Sequence, residues 1–148
     1  ITGATYTQAS TSEVMDSFSG QLLEGGTAIA TVTEISLSLD NGNEPRFVVG
    51  SKNSLRPSLA RSNVSGTLTA YFVNSDLLDK YIANTASSLE FSLPSAAGTL
   101  NFKIPRLKYT GGRPDVQGEG DIVLSMPFQA ILDSTSGTNL IIERTPGP

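Results

Sequence analysis

The sequence predicts a mainly β fold, because three long segments alternate between apolar and other residues. The clearest runs from Asp121 to Asp133, and the same alternation recurs from Ala28 to Asp40 and from Val64 to Val73. A strand points successive side chains to opposite faces, so this period marks strands with one face in a core. The predicted core face of the first segment is Ile122, Leu124, Met126, Phe128, Ala130 and Leu132.

Composition excludes several functional classes. The chain has 148 residues, the size of one domain, and contains no cysteine and no histidine, which removes disulfides, thiolate nucleophiles, imidazole bases and the usual zinc ligands. The net charge is -4 and the pI about 4.7, so no basic surface is available to hold nucleic acid. No apolar run approaches the ~20 residues that span a bilayer. We expect no cofactor, no metal and no membrane partner.

Catalysis is not expected. A serine nucleophile without histidine needs a lysine base, and no Ser-x-x-Lys spacing occurs. A glycosidase with paired carboxylates stays formally possible, since the chain has 14 acidic residues, but no two of them stand out.

The chain divides into an arm, a domain and a short end. Residues 1–17 are polar and rich in threonine and serine, and a possible capping box between Ser10 and Glu13 opens a helical turn. We therefore expect an N-terminal arm or linker there. The β domain is expected over residues 18–144, and residues 145–148 are expected to form a disordered C-terminal end.

Turn residues predict two hairpins. A short strand over Phe18–Leu23 precedes a flexible turn at residues 24–26, and strands over Leu89–Leu93 and Leu100–Ile104 flank a second small turn. At Pro105 the apolar phase slips by one residue. This slip predicts a bulge or a strand end, because proline cannot donate a ladder hydrogen bond.

One helix is predicted after Asn74 or Ser75, either of which suits the N-cap position. Asp76 and Asp79 lie near its positive end, where carboxylates are favourable. We expect its apolar stripe to cover an open sheet face. The stripe consists of Leu77, Leu78, Tyr81 and Ile82.

A connector of about twenty residues from Gly42 to Asn63 is much longer than the ~4 to 6 residues typical of compact domains. It carries four of the ten basic residues of an acidic chain, which favours docking onto an acidic protein surface. The alternative is a solvated loop. The docking candidates are Pro45, Arg46, Lys52, Arg56 and Arg61.

Two further groups are candidates for contact between copies. Strand faces that are apolar on both sides or mixed favour lateral contact through Ala28, Ala30, Val32, Val123, Gln129 and Ile131. A basic cluster followed by acids favours charge pairs between subunits, although ion pairs within one chain explain it equally. Its members are Lys103, Arg106, Lys108, Glu119 and Asp121.

Several stretches together resemble the tail tube proteins of long-tailed bacteriophages over Phe18 to Arg144. These stretches are residues 30–42, residues 64–72 with the following Leu77-Leu78 helix, residues 100–108, and Pro127-Phe128-Gln129-Ala130. The resemblance implies a two-sheet β-sandwich with one flanking α-helix and no catalysis. Some relatives are tandem duplications, and a chain that begins with Ile1 rather than Met suits the second half of one.

The resemblance also implies partners. Copies are expected to form hexameric or pseudo-hexameric rings that stack into a tube, with the long connector reaching the next ring. Tape measure, tail terminator and tail tip proteins would join it in the virion tail, after assembly in the host bacterial cytoplasm. Double-stranded DNA would pass without sticking, since an acidic lining repels phosphates. The alternatives are a tube subunit of a contractile injection or secretion apparatus, and a monomeric binding β-sandwich.

Overall fold

A computed structural model describes residues 14–16, 20–58, 60–116 and 118–147. This part of the chain contains β1 (Leu22–Glu24), β2 (Thr27–Ala28), β3 (Val32–Asp40), β4 (Glu44–Arg46), β5 (Leu55–Ser58), β6 (Asn63–Tyr71), α1 (Asp76–Ile82), β7 (Ser87–Ser95), β8 (Gly98–Tyr109), β9 (Arg113–Asp115), β10 (Val123–Ala130) and β11 (Ile141–Pro146). The predicted mainly β fold with one flanking helix is confirmed. The helical turn predicted after Ser10 falls mostly outside the described residues.

Strand β8 joins the two layers of a sandwich. The main sheet has nine strands in the order β2-β1-β7-β8-β10-β6-β3, with β11 beside β8 and β9 beside β10. Residues 98–103 of β8 pair with β11, whereas residues 107–109 pair with β10. The layers are therefore continuous through β8, and the second sheet is a separate hairpin of β4 and β5.

The core lies between these layers. Four residues of β10 predicted to face the core are buried, namely Leu124, Met126, Phe128 and Ala130. Strand β6 adds Val64, Leu68 and Ala70 to the same cluster, and the other layer adds Leu89, Ile104, Leu107 and Tyr109. The prediction was wrong at Leu132, which is 66% exposed because β10 ends at Ala130.

The bulge predicted at Pro105 is confirmed. Leu89 pairs with Ile104 while Ser87 pairs with Leu107, so β8 carries one extra residue at this point. The extra residue restores the buried face, since Leu107 and Tyr109 are both buried like Ile104 before it. Strand β8 can therefore continue through the proline and reach β10.

Several strand ends differ from the predictions. The strand predicted to start at Ala28 is split into β2, which ends at Ala28, and β3, which starts at Val32. Between them, the Thr31 carbonyl accepts a hydrogen bond from the Tyr71 N–H at 2.9 Å. The last strand, β11, covers residues 141–146. Its pairing with β8 reaches Gly98, so Thr145 and Pro146 are in a strand although a disordered end was expected there. The boundaries of the arm and domain stay predictions.

Helix α1 begins where predicted, but it covers less of the sheet than expected. Leu77 is buried and Leu78 is half-buried, whereas Tyr81 and Ile82 are exposed. The Ser75 hydroxyl donates to the Asp79 carboxylate at 2.8 Å rather than capping a backbone N–H. The predicted apolar stripe therefore contacts the core only through its first turn.

Gly66 lies where β6 passes closest to its neighbours, so Gly66→Ala is expected to destabilise the fold by about 1 to 3 kcal/mol, as overpacking does. An added Cβ would lie 2.1 Å from the Ser36 carbonyl oxygen and 2.6 Å from Cζ of Phe128. Urea unfolding measures the change. The control is Gly120→Ala, where an added Cβ meets nothing within 4 Å. Equal stability of the two variants would contradict this packing.

Candidate assembly surfaces

The long connector is a hairpin that stands apart from the main sheet. Strands β4 and β5 pair only with each other among the described residues, with Glu44 opposite Ser58 and Arg46 opposite Leu55. The Ser54 hydroxyl accepts from the Arg46 N–H at 3.1 Å and donates to the Arg46 carbonyl at 3.1 Å. The predicted loop thus has a defined backbone and projects from one end of β3 and β6.

The hairpin exposes an apolar segment that the sequence analysis missed. Phe47 is 70% exposed, and Val48 and Val49 beside it are exposed as well. These three residues are called the hairpin tip below. The available signal was three consecutive apolar residues between Arg46 and Gly50 in an otherwise polar connector. An exposed apolar segment of this kind marks a contact surface.

The predicted docking residues surround the tip. Arg46, Lys52, Arg56 and Arg61 are all exposed, as is Pro45 within β4. None of these four basic residues belongs to a salt bridge between described residues. Their charges are therefore available to an outside partner.

A groove lies at the other end of β3 and β6, between α1 and the segment from Thr27 to Thr31. It has a volume of about 730 Å³. Its walls include Ala28, Ile29, Tyr71, Val73 and Leu77. This helix groove combines an apolar floor with the acidic side chains of Asp76 and Asp79.

A buried polar cluster holds one wall of the helix groove in place. Glu24 of β1 is only 4% exposed, and its carboxylate accepts a charge-assisted hydrogen bond from the Lys80 ammonium of α1. The Ser87 hydroxyl donates to Oε1 of Glu24 at 2.6 Å, and the Tyr109 hydroxyl donates to the same atom at 3.3 Å. Burial, and then the Glu24 charge, raise the pKa of Tyr109 well above its ordinary value, which keeps this donor protonated.

Strands β3, β6 and β10 separate charge between their two ends. Asp40, which ends β3, pairs with Asn63, whereas Val123, which starts β10, pairs with Tyr71. The hairpin end therefore carries Arg46, Lys52, Arg56, Arg61, Arg106 and Lys108, with Asp40, Glu44 and Asp133 as its acids. The groove end carries the acids Glu24, Asp76, Asp79, Asp115, Glu119 and Asp121, with Lys80 and Arg113 as its bases. One end is thus mainly basic and the other mainly acidic.

The five residues predicted to form charge pairs do not lie together within one chain. Lys103 binds Glu90 at 3.4 Å and Glu143 at 3.0 Å, and these carboxylates raise its pKa. Arg106 lies near Asp133, whose pKa is lowered mainly by the Ser136 backbone N–H and also by the Arg106 charge. Lys103 therefore forms its ion pairs within one chain. Its partners are Glu90 and Glu143, whereas the sequence indicated Glu119 and Asp121.

Arg106 and Lys108 stand opposite Ile131 and Gln129, at the end of β10 that adjoins the hairpin. Glu119 and Asp121 precede the start of β10 at the other end. Eight residues of strand span roughly 26 Å, which is too far for an ion pair. These four side chains can pair with one another only between copies.

The predicted lateral residues fall on different parts of the surface. Ala28 and Ala30 are exposed on the rim of the helix groove, while Val32, Val123 and Ile131 are half-buried. The Gln129 side-chain amide donates to the Asn63 side chain at 2.7 Å and to the Val64 carbonyl at 2.8 Å. Gln129 therefore joins β10 to β6 within one chain, whereas the sequence analysis predicted a contact between copies.

Strand β3 is an edge of the main sheet. Among the described residues eight of its nine positions pair, all with β6 on one side, and Thr33 lies at a break in the register. A second groove of about 650 Å³ separates it from β1 and β7, with Val32, Ile35, Phe91 and Leu93 in its walls. A long edge of this kind offers unpaired backbone groups to another strand.

No helix in the described part is long and apolar enough to cross a membrane. No group of three acidic side chains able to hold a metal ion occurs in that part either.

Solved structures share this fold. A sheath/tube terminator of an extracellular contractile injection system in the extended state matches with a TM-score of 0.67 at 14% identity, over 90% of this chain and 99% of that one. A chain of a native gene transfer agent virion matches with a TM-score of 0.55 at 12% identity, over 84% and 95%. A chain from an anti-feeding prophage baseplate matches with a TM-score of 0.52 at 10% identity, over 94% and 97%.

The chain thus shares its fold with proteins of contractile injection system and gene transfer agent particles. A profile of the phage tail tube protein family matches residues 1–130, so the chain belongs to that family. The resemblance found from the sequence is confirmed. No curated protein sequence is similar enough to count as a match.

Proposed function

We propose that this chain polymerises into stacked rings and forms the tail tube of a long-tailed phage, through which double-stranded DNA leaves the virion. The observation that carries the proposal is the hairpin of β4 and β5. Within the described part of the chain it pairs with no other strand, and it exposes an apolar tip among basic side chains that form no salt bridge there. Exposed apolar side chains do not stabilise a single chain. Contact with another copy would bury it.

Lateral contact within a ring is assigned to the free edge of β3 and to the adjoining groove at Val32. Pairing this edge with a strand of the neighbouring copy would satisfy its backbone groups and close the sheet around a ring. The half-buried face of Val123 and Ile131 is retained as a second lateral contact. Hexameric rings and trimers of tandem domains would both place a neighbouring strand beside the edge of β3.

Passage of DNA is supported by charge. The net charge of -4 gives the chain the same sign as the phosphates, so a tube of many copies would not hold its cargo by counterion release. Tape measure, tail terminator and tail tip proteins would be its partners, with assembly in the host bacterial cytoplasm. The role requires no catalysis and no cofactor.

A tube subunit of a contractile injection apparatus is the second candidate. It is favoured by the shared fold with the terminator of an extracellular contractile injection system. The two candidates differ in cargo, since an injection apparatus would deliver protein.

Electron microscopy of the concentrated protein, with and without tail tip proteins as nuclei, tests the proposal. We expect hollow tubes with a regular axial repeat, and a central channel wide enough for duplex DNA. Monomers that persist at high concentration and after nucleation would overturn the proposed function. Tubes co-purified from virions with DNA, rather than protein, in the channel would separate the two candidates.

A further inference from the structure

We infer that Asn41 is a site of spontaneous deamidation, at which the side-chain amide is converted to a carboxylate without an enzyme. The site lies where β3 ends and the chain leads into the hairpin of β4 and β5. It consists of Asp40, Asn41 and Gly42, all three of which are exposed. The modification is independent of the proposed function, since it needs only one folded chain and water.

The Asn41-Gly42 pair places the two reacting groups next to each other. In this reaction the backbone nitrogen of the following residue attacks the side-chain carbonyl carbon of the asparagine, so a side chain on that residue hinders the approach. Glycine has no side chain, and its backbone can come close to another group. Asn41 is the only one of the eight asparagines that is followed by glycine.

The turn itself favours glycine at position 42. Gly42 has a φ of 55°, in the left-handed region that other residues rarely adopt. A Cβ added there would lie 3.0 Å from the Cβ of Ala60, on the segment that returns from the hairpin. A larger residue, which would slow the reaction, is therefore unfavourable at this position.

The Asp40 carboxylate supplies a base for the reaction. Its Oδ1 atom accepts a hydrogen bond from the Gly42 N–H at 2.8 Å, and this proton must leave for the nitrogen to attack. A base held within hydrogen-bond reach of such a proton typically contributes a factor of ~10²–10⁴ to a rate. The fold therefore places a base beside the attacking nitrogen, which a flexible peptide of the same sequence does not do.

The reaction balances with water as its only other reagent. Asp40 takes the amide proton of Gly42 as the nitrogen bonds to Cγ of Asn41, and the bond from Cγ to the side-chain nitrogen then breaks. That nitrogen leaves as ammonia with the proton returned by Asp40, and a cyclic succinimide remains. Water opens the ring at either carbonyl carbon, which gives an aspartate or an isoaspartate at position 41.

Both products change the junction between the two sheets. Residues 41–43 are the whole connection from Asp40, the last paired residue of β3, to Glu44, the first paired residue of β4. Each product adds a negative charge between these two carboxylates, and an isoaspartate also lengthens the main chain by one carbon atom. The hairpin of a modified chain is therefore expected to leave the main sheet at a different angle.

Peptide mapping by mass spectrometry of the purified, unassembled chain, aged at mildly alkaline pH, tests the inference. Deamidation is measured as the small mass gain when a side-chain amide becomes a carboxylate, and isoaspartate is measured by labelling with an isoaspartyl methyltransferase. We expect conversion at Asn41 to be several times faster than at Asn53, an exposed asparagine that is followed by Ser54. Absence of conversion at Asn41 in the folded chain would overturn the site.

The matched variant is Asp40→Asn, which keeps an oxygen acceptor for the Gly42 N–H but cannot take up its proton. Asp40 is exposed, so the variant is expected to fold. Conversion at Asn41 should be slower by about tenfold or more in the folded variant than in the folded native chain. In urea, where the turn is lost, the two chains should convert at equal rates. Equal rates in the two folded chains would overturn the role of Asp40 as the base.

Discussion

Replacing Phe47 and Val49 of the hairpin tip by serine is expected to raise the concentration needed for tube formation by roughly 30-fold or more. Loss of a buried aromatic anchor costs ~2 kcal/mol at a typical interface, and each 1.4 kcal/mol corresponds to a factor of ten. The fold itself should keep its stability to within about 0.5 kcal/mol, because both side chains are exposed in the single chain. Sedimentation of tubes at rising protein concentration measures the threshold.

The control for this experiment is Leu132→Ser, Ile142→Ser, which removes two exposed apolar side chains outside the hairpin. This control should polymerise at nearly the native concentration. If the hairpin variant polymerises as readily as the control, the exposed tip is not the stacking element. Urea unfolding of each variant separates a loss of assembly from a loss of fold.

Replacing Lys80 by methionine is expected to destabilise the fold by about 2 to 3 kcal/mol. The Glu24 carboxylate would remain buried with only the Ser87 and Tyr109 hydroxyls to bind it. Breaking a fully buried pair costs ~3 to 5 kcal/mol, and the effect is smaller here since the Lys80 side chain is 30% exposed. The midpoint of urea unfolding measures the loss.

The double variant Glu24→Gln, Lys80→Met removes the buried charge together with its partner, so it should recover part of this stability. Lys103→Met serves as the surface control, because Lys103 is paired with two carboxylates that are themselves exposed. It should perturb the fold much less than Lys80→Met. Similar effects of the two lysine variants would show that burial of Glu24 does not set the cost.

Local pattern predicted much of the architecture. The alternation through Leu124, Met126 and Phe128 correctly indicated a buried strand face, and the apolar phase slip at Pro105 correctly indicated a bulge. These features depend on the direction of successive side chains along one strand, which is a property of neighbouring residues. The ends of strands were less accurate, since each end depends on where the pairing partner stops.

The candidate surfaces were predicted only in part. The basic residues of the connector could be counted from the sequence, but its separate sheet and exposed tip could not. The helix groove was missed, because it forms between Tyr71, Leu77 and a segment forty or more residues earlier in the chain. The periodicity of residues along one strand or helix does not predict a contact between segments that are distant in sequence.

The sequence by itself determined the class of fold, the position of the helix and the absence of thiol and imidazole chemistry. The tertiary structure decided which residues meet: Glu24 with Lys80, and the charges that collect at each end of β3, β6 and β10. The physical reason is that periodicity is a local consequence of backbone geometry. Pairing register and the burial of one charge beside another depend on segments that are distant in sequence and become neighbours only in the folded chain.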